Sequence, residues 1–327
     1  MRLATFTADD TAETRVGVVH DEQVYALPAE ATMRELIDAG LAETLRLGER
    51  ARAEGDGRPL SRVRLLAPLR PASVRDCVAF EEHVEGVRRS VSGQHGVPDA
   101  WFDAPTFYFT NPHAILGPGE EVRFPAGCAV RDFELEVAVV VGRAGSSLTE
   151  SDARQAIFGY TIMNDWSARD LQSREMQVTL GPAKGKDFAT SLGPWIVTAD
   201  ELEPYRDADG FLALTGTAAV NGIEVGRDVL ANAGWTFESM IAYASRDSLV
   251  LPGDVIGSGT FGNGGCLAEL WGRHGAQDPS PLRPGDEVAL SVEGIGTLSG
   301  TVGVADAAPP GTPVRRRRYT DHREEPT

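Results

Sequence analysis

The sequence has little cysteine. Three cysteines, Cys77, Cys128 and Cys266, occur in 327 residues, and none forms a Cys-x-x-Cys motif with another. An odd and widely spaced set cannot pair completely, so the sequence indicates neither a disulfide framework nor a zinc site. Unpaired cysteines are typical of reducing compartments, and we predict a cytoplasmic protein.

Positive charge is also scarce. Lysine and arginine number 31 against 48 aspartates and glutamates, which leaves a formal net charge of −17. This excess argues against nucleic acid or an anionic membrane surface as a partner. The basic run from Arg315 to Arg318 is the exception, but against the overall charge we predict no nucleic-acid partner. An anionic substrate would need locally placed cations.

Long apolar runs are missing as well. No stretch approaches the roughly 20 apolar residues that a membrane span requires. The first residues, Met1 to Asp9, lack the apolar segment of a signal peptide. We therefore expect a soluble protein without a membrane partner.

The residues that are abundant favour turns and short strands. Apolar residues make up 42% of the chain, with 36 glycines and 20 prolines, and we predict a β-rich α+β protein. A cluster of glycine and proline ends a helical pattern that runs from Thr32 to Glu54. We predict a small N-terminal β-containing domain at 1–70, a catalytic domain at 71–305 and a disordered tail at 306–327.

Acidic and apolar residues alternate between residues 132 and 141, which is the two-residue period of a strand. Glu134 and Glu136 would lie on one face about 7 Å apart. They would repel each other unless each reaches water, a base or a metal ion. A second predicted strand, Gly159–Asn164, leads into Asp165. On pattern alone, a solvated strand face and a cation site both fit.

A helix is predicted to follow Asp165. Ser167 is a suitable N-cap residue for it. Arg169 and Gln172 lie three residues apart and therefore on one helical face. Both side chains could then point back toward Asp165.

Three further residues have two interpretations each. His83, in a predicted short helix, could act as a base near neutral pH, although a lone histidine is more often structural. Lys186, in a glycine-containing loop, is by itself an ordinary solvated lysine. Tyr108, in an aromatic strand, is by itself a core residue. The irregular segment 88–99 fits a mobile lid and a surface loop equally well.

Three segments together resemble the fumarylacetoacetate hydrolase family: Asp132–Glu136, Met163–Gln172 and Leu180–Phe188. The resemblance extends from Asp76 to Val302. It implies a catalytic domain folded as a mixed β-sandwich or β-roll, preceded by a small accessory domain. It also implies a homodimer.

The resemblance implies a metal centre. In the family, the positions that match Glu134, Glu136 and Asp165 hold a divalent cation, usually Mg²⁺ and sometimes Mn²⁺ or Ca²⁺. Asp76 matches a position that can serve as a further ligand. Carboxylate oxygens are the ligands that such hard cations prefer.

A catalytic histidine is implied as well, because His83 follows Asp76 at the family spacing of seven residues. Family members that act as acylpyruvases or oxaloacetate decarboxylases usually carry a glutamate three residues after this histidine, where this chain has Gly86. In the fumarylacetoacetate hydrolases proper, the partner glutamate comes from a downstream segment that resembles Ala268–Trp271. We therefore predict that Glu269 orients His83.

The remaining site residues are also implied by the resemblance. Lys186 matches a position that faces an enolate oxygen, and Tyr108 matches a substrate contact. In the reaction that we predict, Arg169 and Gln172 would stabilise oxyanion charge together with Lys186. Val78 stands where those hydrolases have a tyrosine, so one substrate contact is expected to be lost.

A glycine-rich run, Gly257 to Gly262, matches the letters of a dinucleotide-binding motif. Asn263-Gly264-Gly265 cannot continue a helix, and no βαβ unit surrounds the run, so we predict a loop instead. It resembles the glycine-rich loop of the family, in which Thr260 lines the active site.

These features predict a metal-dependent hydrolase that cleaves a carbon–carbon bond in a 1,3-diketone or a 2,4-diketo acid, with a small anionic substrate. A decarboxylase or isomerase of a 2-oxo acid would use the same metal motif, so the motif does not separate these reactions. A metal-binding protein without catalysis is a third interpretation. The presence of His83, Lys186 and Glu269 speaks against it.

Overall fold

The computed structural model describes residues 1–8, 13–307, 309 and 311–315. The strands in this part are β1 Arg2–Ala8, β2 Thr14–His20, β3 Gln23–Ala26, β4 Arg58–Pro59, β5 Val63–Leu66, β6 Val74–Cys77, β7 Phe107–Thr110, β8 Ile115–Leu116, β9 Glu121–Val122, β10 Arg131–Asp132, β11 Leu135–Val141, β12 Ile157–Asp165, β13 Ser167–Ala168, β14 Thr190–Thr198, β15 Thr215–Val220, β16 Ile223–Val229, β17 Val255–Gly257, β18 Glu287–Val292 and β19 Gly296–Val302. The α-helices are α1 Met33–Ala39, α2 Leu41–Glu54, α3 Glu81–Ser92, α4 Glu150–Gln155, α5 Arg169–Met176, α6 Ala199–Leu202, α7 Phe237–Ser245 and α8 Leu267–His274. The predicted β-rich α+β class is confirmed.

One large mixed sheet contains most of the strands, in the order β4-β3-β2-β1-β14-β12-β11-β17-β6-β7. The pairs along this path are antiparallel except for β17 and β6, which are parallel. A smaller sheet has the order β16-β15-β18-β19-β9. The centre of the large sheet therefore brings together strands that are far apart in sequence.

The predicted boundary near residue 70 falls within a continuous sheet. Strand β1 pairs with β14, with Arg2 opposite Val197 and Leu3 opposite Ile196. The N-terminal strands thus extend the same sheet that contains β11 and β12. The division at 1–70 and 71–305 stays a prediction, and most of the predicted tail, 306–327, lies outside the described residues.

Strand β11 is buried on both of its faces. Val137 packs in a core that also contains Leu290 of the smaller sheet, whereas Ala138 packs in a second core with Met33 of α1. A strand covered on both sides reads as a nearly continuous apolar run, as β11 does. Asp76, Glu136 and Asp165 each lie two residues from a member of the second core, so alternation places them on one face of the sheet.

Local signals predicted several elements and misplaced others. The Asn221–Gly222 turn has φ of 51° and 76° and joins β15 to β16, as its type I′ signature predicts. Gly40, at φ 84°, divides the predicted helix 32–54 into α1 and α2. Helix α5 begins after Ala168 without a side-chain cap, so the prediction of Ser167 as its N-cap is wrong; Ser167 pairs with Asp132 instead.

Two further findings concern segments with functional interpretations. The segment 88–99 is not wholly irregular, because α3 continues to residue 92. The aromatic strand is not wholly buried, because Phe109 is 63% exposed. Within the described residues, none of the helices is both long enough and apolar enough to cross a membrane.

Candidate active site

Carboxylates from three strands meet at the centre of the large sheet. Glu136 on β11, Asp165 at the end of β12 and Asp76 on β6 are all at most 3% exposed. Strand β17 lies between β11 and β6 and places Gly257 directly beside Asp76. Their burial rules out the solvated-face interpretation of the acidic run.

Gly257 makes this convergence possible. A Cβ atom at this position would lie 2.6 Å from Oε2 of Glu136 and 2.8 Å from Oδ1 of Asp76. Both distances are far below van der Waals contact, so only glycine leaves room for the two carboxylates. The first glycine of the run 257–262 is therefore required to make room for the two carboxylates, and no nucleotide is needed to explain it.

Glu134 lies between two buried cations. Its Oε1 accepts a hydrogen bond of 2.7 Å from Nη2 of Arg169, and its Oε2 accepts one from Nζ of Lys186. Lys186 Nζ also donates to Oδ2 of Asp165 at 2.5 Å. Lys186 is only 3% exposed, so it is not the solvated loop lysine that its local sequence suggests.

Two of the other predicted residues join this network. Tyr108 donates its hydroxyl proton to Oδ2 of Asp165, and Gln172 accepts from Nη1 of Arg169 at 3.0 Å. Thr260 lies in the loop that faces Glu136, with its hydroxyl 3.5 Å from Oε1 of that carboxylate.

The carboxyl groups differ in their electrostatic environment. Burial raises the pKa of Asp76 and of Glu136 well above their ordinary values, and it raises the pKa of Asp165 to about 6. Burial would also raise the pKa of Glu134, but Lys186 and Arg169 outweigh this effect and lower it. Cations of the protein therefore neutralise Glu134 but not the whole group.

The group has the features of a divalent-cation site. Carboxylate oxygens of Asp76, Glu134 and Glu136 all lie within 4.8 Å of one another. Oδ1 of Asp76 and Oδ1 of Asp165 are buried without a hydrogen-bond partner. Buried carboxylates in excess of the adjacent cations are stabilised by a hard metal ion, so the donor set fits such an ion.

His83 lies next to this group on α3. Its Nε2 is 3.9 Å from Oε1 of Glu134, and its Nδ1 is 3.6 Å from Sγ of Cys266. Burial lowers the pKa of His83 to about 4, so the ring is neutral near pH 7. Burial also raises the pKa of Cys266 well above its ordinary value, so this neighbour is a thiol.

The structure gives Glu269 a different partner from the one expected. Oε1 of Glu269 is 2.7 Å from Nη2 of Arg273 on the next turn of α8, and no hydrogen bond or ion pair joins Glu269 to His83 in the described part of the chain. The role of Glu269 in orienting His83 therefore stays a prediction. Cys266, three residues earlier on the same helix terminus, occupies the place next to the imidazole.

Two residues that sequence reasoning missed support the site. Asp132 accepts hydrogen bonds from Nε of Arg169 at 2.9 Å and from the backbone of Leu267 at 2.8 Å. It thereby ties the first turn of α8 to the cation that pairs with Glu134. Asp132 is part of the alternating acidic run 132–141, which could have identified it as a site residue. The sequence around Cys266 contains no pattern that indicates a role in the site.

The close approach of α3 and α8 explains the residue at position 86. A Cβ atom on Gly86 would lie 2.5 Å from Cγ and 3.0 Å from Cα of Glu269. A Cβ atom on Gly272 would lie 2.0 Å from the carbonyl oxygen of Gly86. The helices cross at two glycines, so a glutamate at position 86 would require α8 to move.

We expect Gly86→Ala to destabilise the protein by a net of about 1–2 kcal/mol, because overpacking this close contact costs up to about 3 kcal/mol. The gain in helix propensity, about 1 kcal/mol, offsets only part of this cost. Urea unfolding measures the difference, and Ser90→Ala on the exposed side of the same helix is the matched control. A Gly86→Ala protein as stable as the wild type would contradict the proposed close contact.

Comparisons with known proteins agree with this architecture. The sequence model of the fumarylacetoacetate hydrolase C-terminal domain matches residues 72–303. Protein Rv2993c of Mycobacterium tuberculosis is 34% identical over 282 residues, which cover 84% of this chain and 89% of that protein. The fumarylacetoacetase of Arabidopsis thaliana is 32% identical over 257 residues, which cover 64% of this chain and 61% of that enzyme.

Solved structures share the fold. A 5-carboxymethyl-2-hydroxymuconate delta-isomerase from Mycobacterium smegmatis is 27% identical and has a TM-score of 0.67, with 94% of this chain and 100% of that chain covered. A maleylpyruvate hydrolase from Sphingobium, in complex with manganese(II) and pyruvate, is 23% identical and has a TM-score of 0.69, with 94% and 100% covered. The fold that the sequence resemblance implied is confirmed, and the chain belongs to the fumarylacetoacetate hydrolase family.

Proposed function

We propose that this protein is a metal-dependent hydrolase that cleaves a carbon–carbon bond in a small anionic 1,3-diketone or 2,4-diketo acid. The observation that carries the proposal is the buried group formed by Asp76, Glu134 and Glu136 beside His83, all of which line one cavity. Bound there, a divalent cation would polarise the carbonyl oxygens of the substrate and stabilise the charge that develops on them. Our proposed ion is Mg²⁺, with Mn²⁺ or Ca²⁺ as alternatives.

His83 is the proposed general base. It is neutral and lines the cavity, so a ring nitrogen can accept a proton from water. Hydrolysis breaks the bond between the acyl carbonyl carbon and the adjacent methylene carbon. The water oxygen becomes part of the carboxylic acid product, and the methylene carbon takes up a proton to complete the ketone product.

Lys186, Arg169 and Gln172 are the proposed stabilisers of oxyanion charge. All three line the same cavity, and their hydrogen bonds to Glu134, Asp165 and one another hold them in place. Positively charged donors that are fixed before reaction stabilise developing charge without reorganisation. Tyr108 and Thr260, which also line the cavity, are proposed substrate contacts.

A second candidate function is isomerisation, tautomerisation or decarboxylation of a 2-oxo acid. Glu269 pairs with Arg273 and makes no hydrogen bond with His83 among the described residues. This favours the second candidate, because these reactions need no water activated by a His/Glu pair. The delta-isomerase from Mycobacterium smegmatis shares this fold, so the architecture accommodates both kinds of reaction. The homodimer and the cytoplasmic location stay predictions.

Product analysis separates the two candidates. Purified protein with Mg²⁺ or Mn²⁺ is incubated with acylpyruvates, fumarylacetoacetate and oxaloacetate, and products are identified by NMR. We expect a carboxylic acid and a ketone or 2-oxo acid in equal amounts from a diketone. Release of CO₂ from oxaloacetate, or interconversion of its keto and enol forms, without cleavage of any diketone would establish the second candidate instead.

A further inference from the structure

The cavity that contains the candidate site has a volume of about 450 Å³, which exceeds the space needed by the carboxylate group alone. Part of its lining is the polar group described above. The other part is apolar and includes Val78, Val84, Val87, Trp101, Phe107 and Met176. The cavity therefore has a polar part and an apolar part.

On each element, the apolar residues of the cavity lining come a few residues after the polar ones. On α3, Val87 lies four residues after His83 and thus one turn further along the same face. On α5, Met176 lies four residues after Gln172 in the same way, and it is 50% exposed. Beyond β6, Val78 follows Asp76 by two residues. A substrate whose carbonyl oxygens lie at the carboxylates would extend along these apolar side chains.

Trp101 makes this wall rigid. Its Nε1 donates a hydrogen bond of 2.6 Å to the carbonyl oxygen of Val78. Its ring contacts Trp235 edge to face at 6.5 Å between centroids, and it fills the space that a side chain at Gly234 would take. Only 7% of Trp101 is exposed. The wall is preformed, so binding an apolar group requires little ordering of the protein.

The cations that line the cavity are already engaged. Lys186 and Arg169 bind the buried carboxylates. Arg88 donates from Nη1 to the carbonyl oxygen of Gly96 and from Nη2 to Oε1 of Gln94, each at 2.7 Å. A carboxylate at the far end of a substrate would lose water without gaining an uncommitted cation of the cavity lining, which is unfavourable in apolar surroundings.

We propose that the substrate carries an uncharged alkyl or aryl acyl group, which the wall of Val78, Val87, Trp101 and Met176 binds, and that a second terminal carboxylate is rejected. This inference rests on the proposed function for the reaction, but it concerns the recognition of the acyl group. It predicts a monoanionic substrate, which agrees with a chain of net charge −17.

The test compares two substrates of equal length, 2,4-dioxooctanoate and 2,4-dioxooctanedioate, with Mg²⁺-loaded protein. We expect kcat/KM to be at least about tenfold higher for the monoanion, because the dianion must bury its second carboxylate in the apolar part of the cavity. Val87→Lys should raise kcat/KM for the dianion and lower it for the monoanion. Val178→Lys, at a position 67% exposed and outside the cavity lining, is the control for added charge.

Calorimetric binding of both compounds separates this inference from the proposed reaction. If neither is cleaved but the monoanion binds more tightly, the hydrolase proposal fails and the inference on the acyl group stands. Equal or tighter binding of the dianion would overturn the inference. The inference would also be overturned if Arg88→Met abolished binding and cleavage of the dianion but not of the monoanion, because Arg88 would then be the group that binds the second carboxylate. Failure of both compounds to bind overturns both proposals.

Discussion

Replacing Glu136 with glutamine is expected to lower kcat by at least about 10³-fold, because the loss of a metal ligand removes several kcal/mol of transition-state stabilisation. The same change should not destabilise the metal-free protein. Burial raises the pKa of Glu136 well above its ordinary value, so its charged form is unfavourable in the fold. Glutamine keeps the size of the side chain and removes that charge.

Thermal unfolding with and without metal provides a readout that is independent of activity. Mg²⁺ or Mn²⁺ at about 100 times its dissociation constant should stabilise the wild type by about 2.7 kcal/mol, whereas Glu136→Gln should show no such gain. The control is Glu238→Gln, which breaks a buried pair with Arg206 at 2.8 Å. This control should lose stability yet keep the stabilisation by metal. Equal stabilisation of Glu136→Gln and wild type would contradict the assignment of Glu136 as a ligand.

Replacing Lys186 with methionine is expected to lower kcat by about 10²-fold or more, which is the effect of losing one donor to developing negative charge. It should also lower the stability of the metal-free protein by about 3 kcal/mol, because Glu134 and Asp165 would be left without their shared cation. Glu136→Gln, by contrast, is expected not to destabilise the metal-free protein. One network therefore yields two variants that both have a strongly reduced kcat but differ in stability.

Lys184→Met is the matched control for Lys186→Met. Lys184 lies in the same loop but is largely exposed and pairs with Asp187 at 2.8 Å. A surface pair contributes little, so we expect a change in stability below about 1 kcal/mol and normal kcat. Steady-state kinetics and urea unfolding of both variants test the prediction. A near-normal kcat for Lys186→Met with reduced stability would make Lys186 a structural ion partner and not a catalytic group.

Local sequence determined the types of most elements. The alternation in residues 135–141 specified a strand, and the Asn221–Gly222 pair specified the turn between β15 and β16. Family motifs drew attention to Glu134, Glu136, Asp165 and Lys186. Each of these signals lies within a few residues of chain, where backbone preferences and motif spacing can be read directly.

The tertiary structure decided which of these residues meet. Asp76 joins Glu134 and Glu136 because β17 inserts between β11 and β6, and because Gly257 leaves space over that strand. A local pattern cannot specify this order, since it depends on pairing between strands about 180 residues apart. Packing of other elements over the sheet buried the acidic face that the pattern alone allowed to be solvated.

The partner of His83 was decided in the same way. The resemblance of Ala268–Trp271 to a family segment pointed to Glu269, but the crossing of α3 and α8 at Gly86 and Gly272 sets how the two helices face each other. In that arrangement Cys266 lies next to the imidazole and Glu269 turns to Arg273. Sequence by itself determined which residue types were present and on which elements. The contacts between elements were decided by close packing, because a side chain reaches only the atoms that the assembled backbone places within a few ångströms of it.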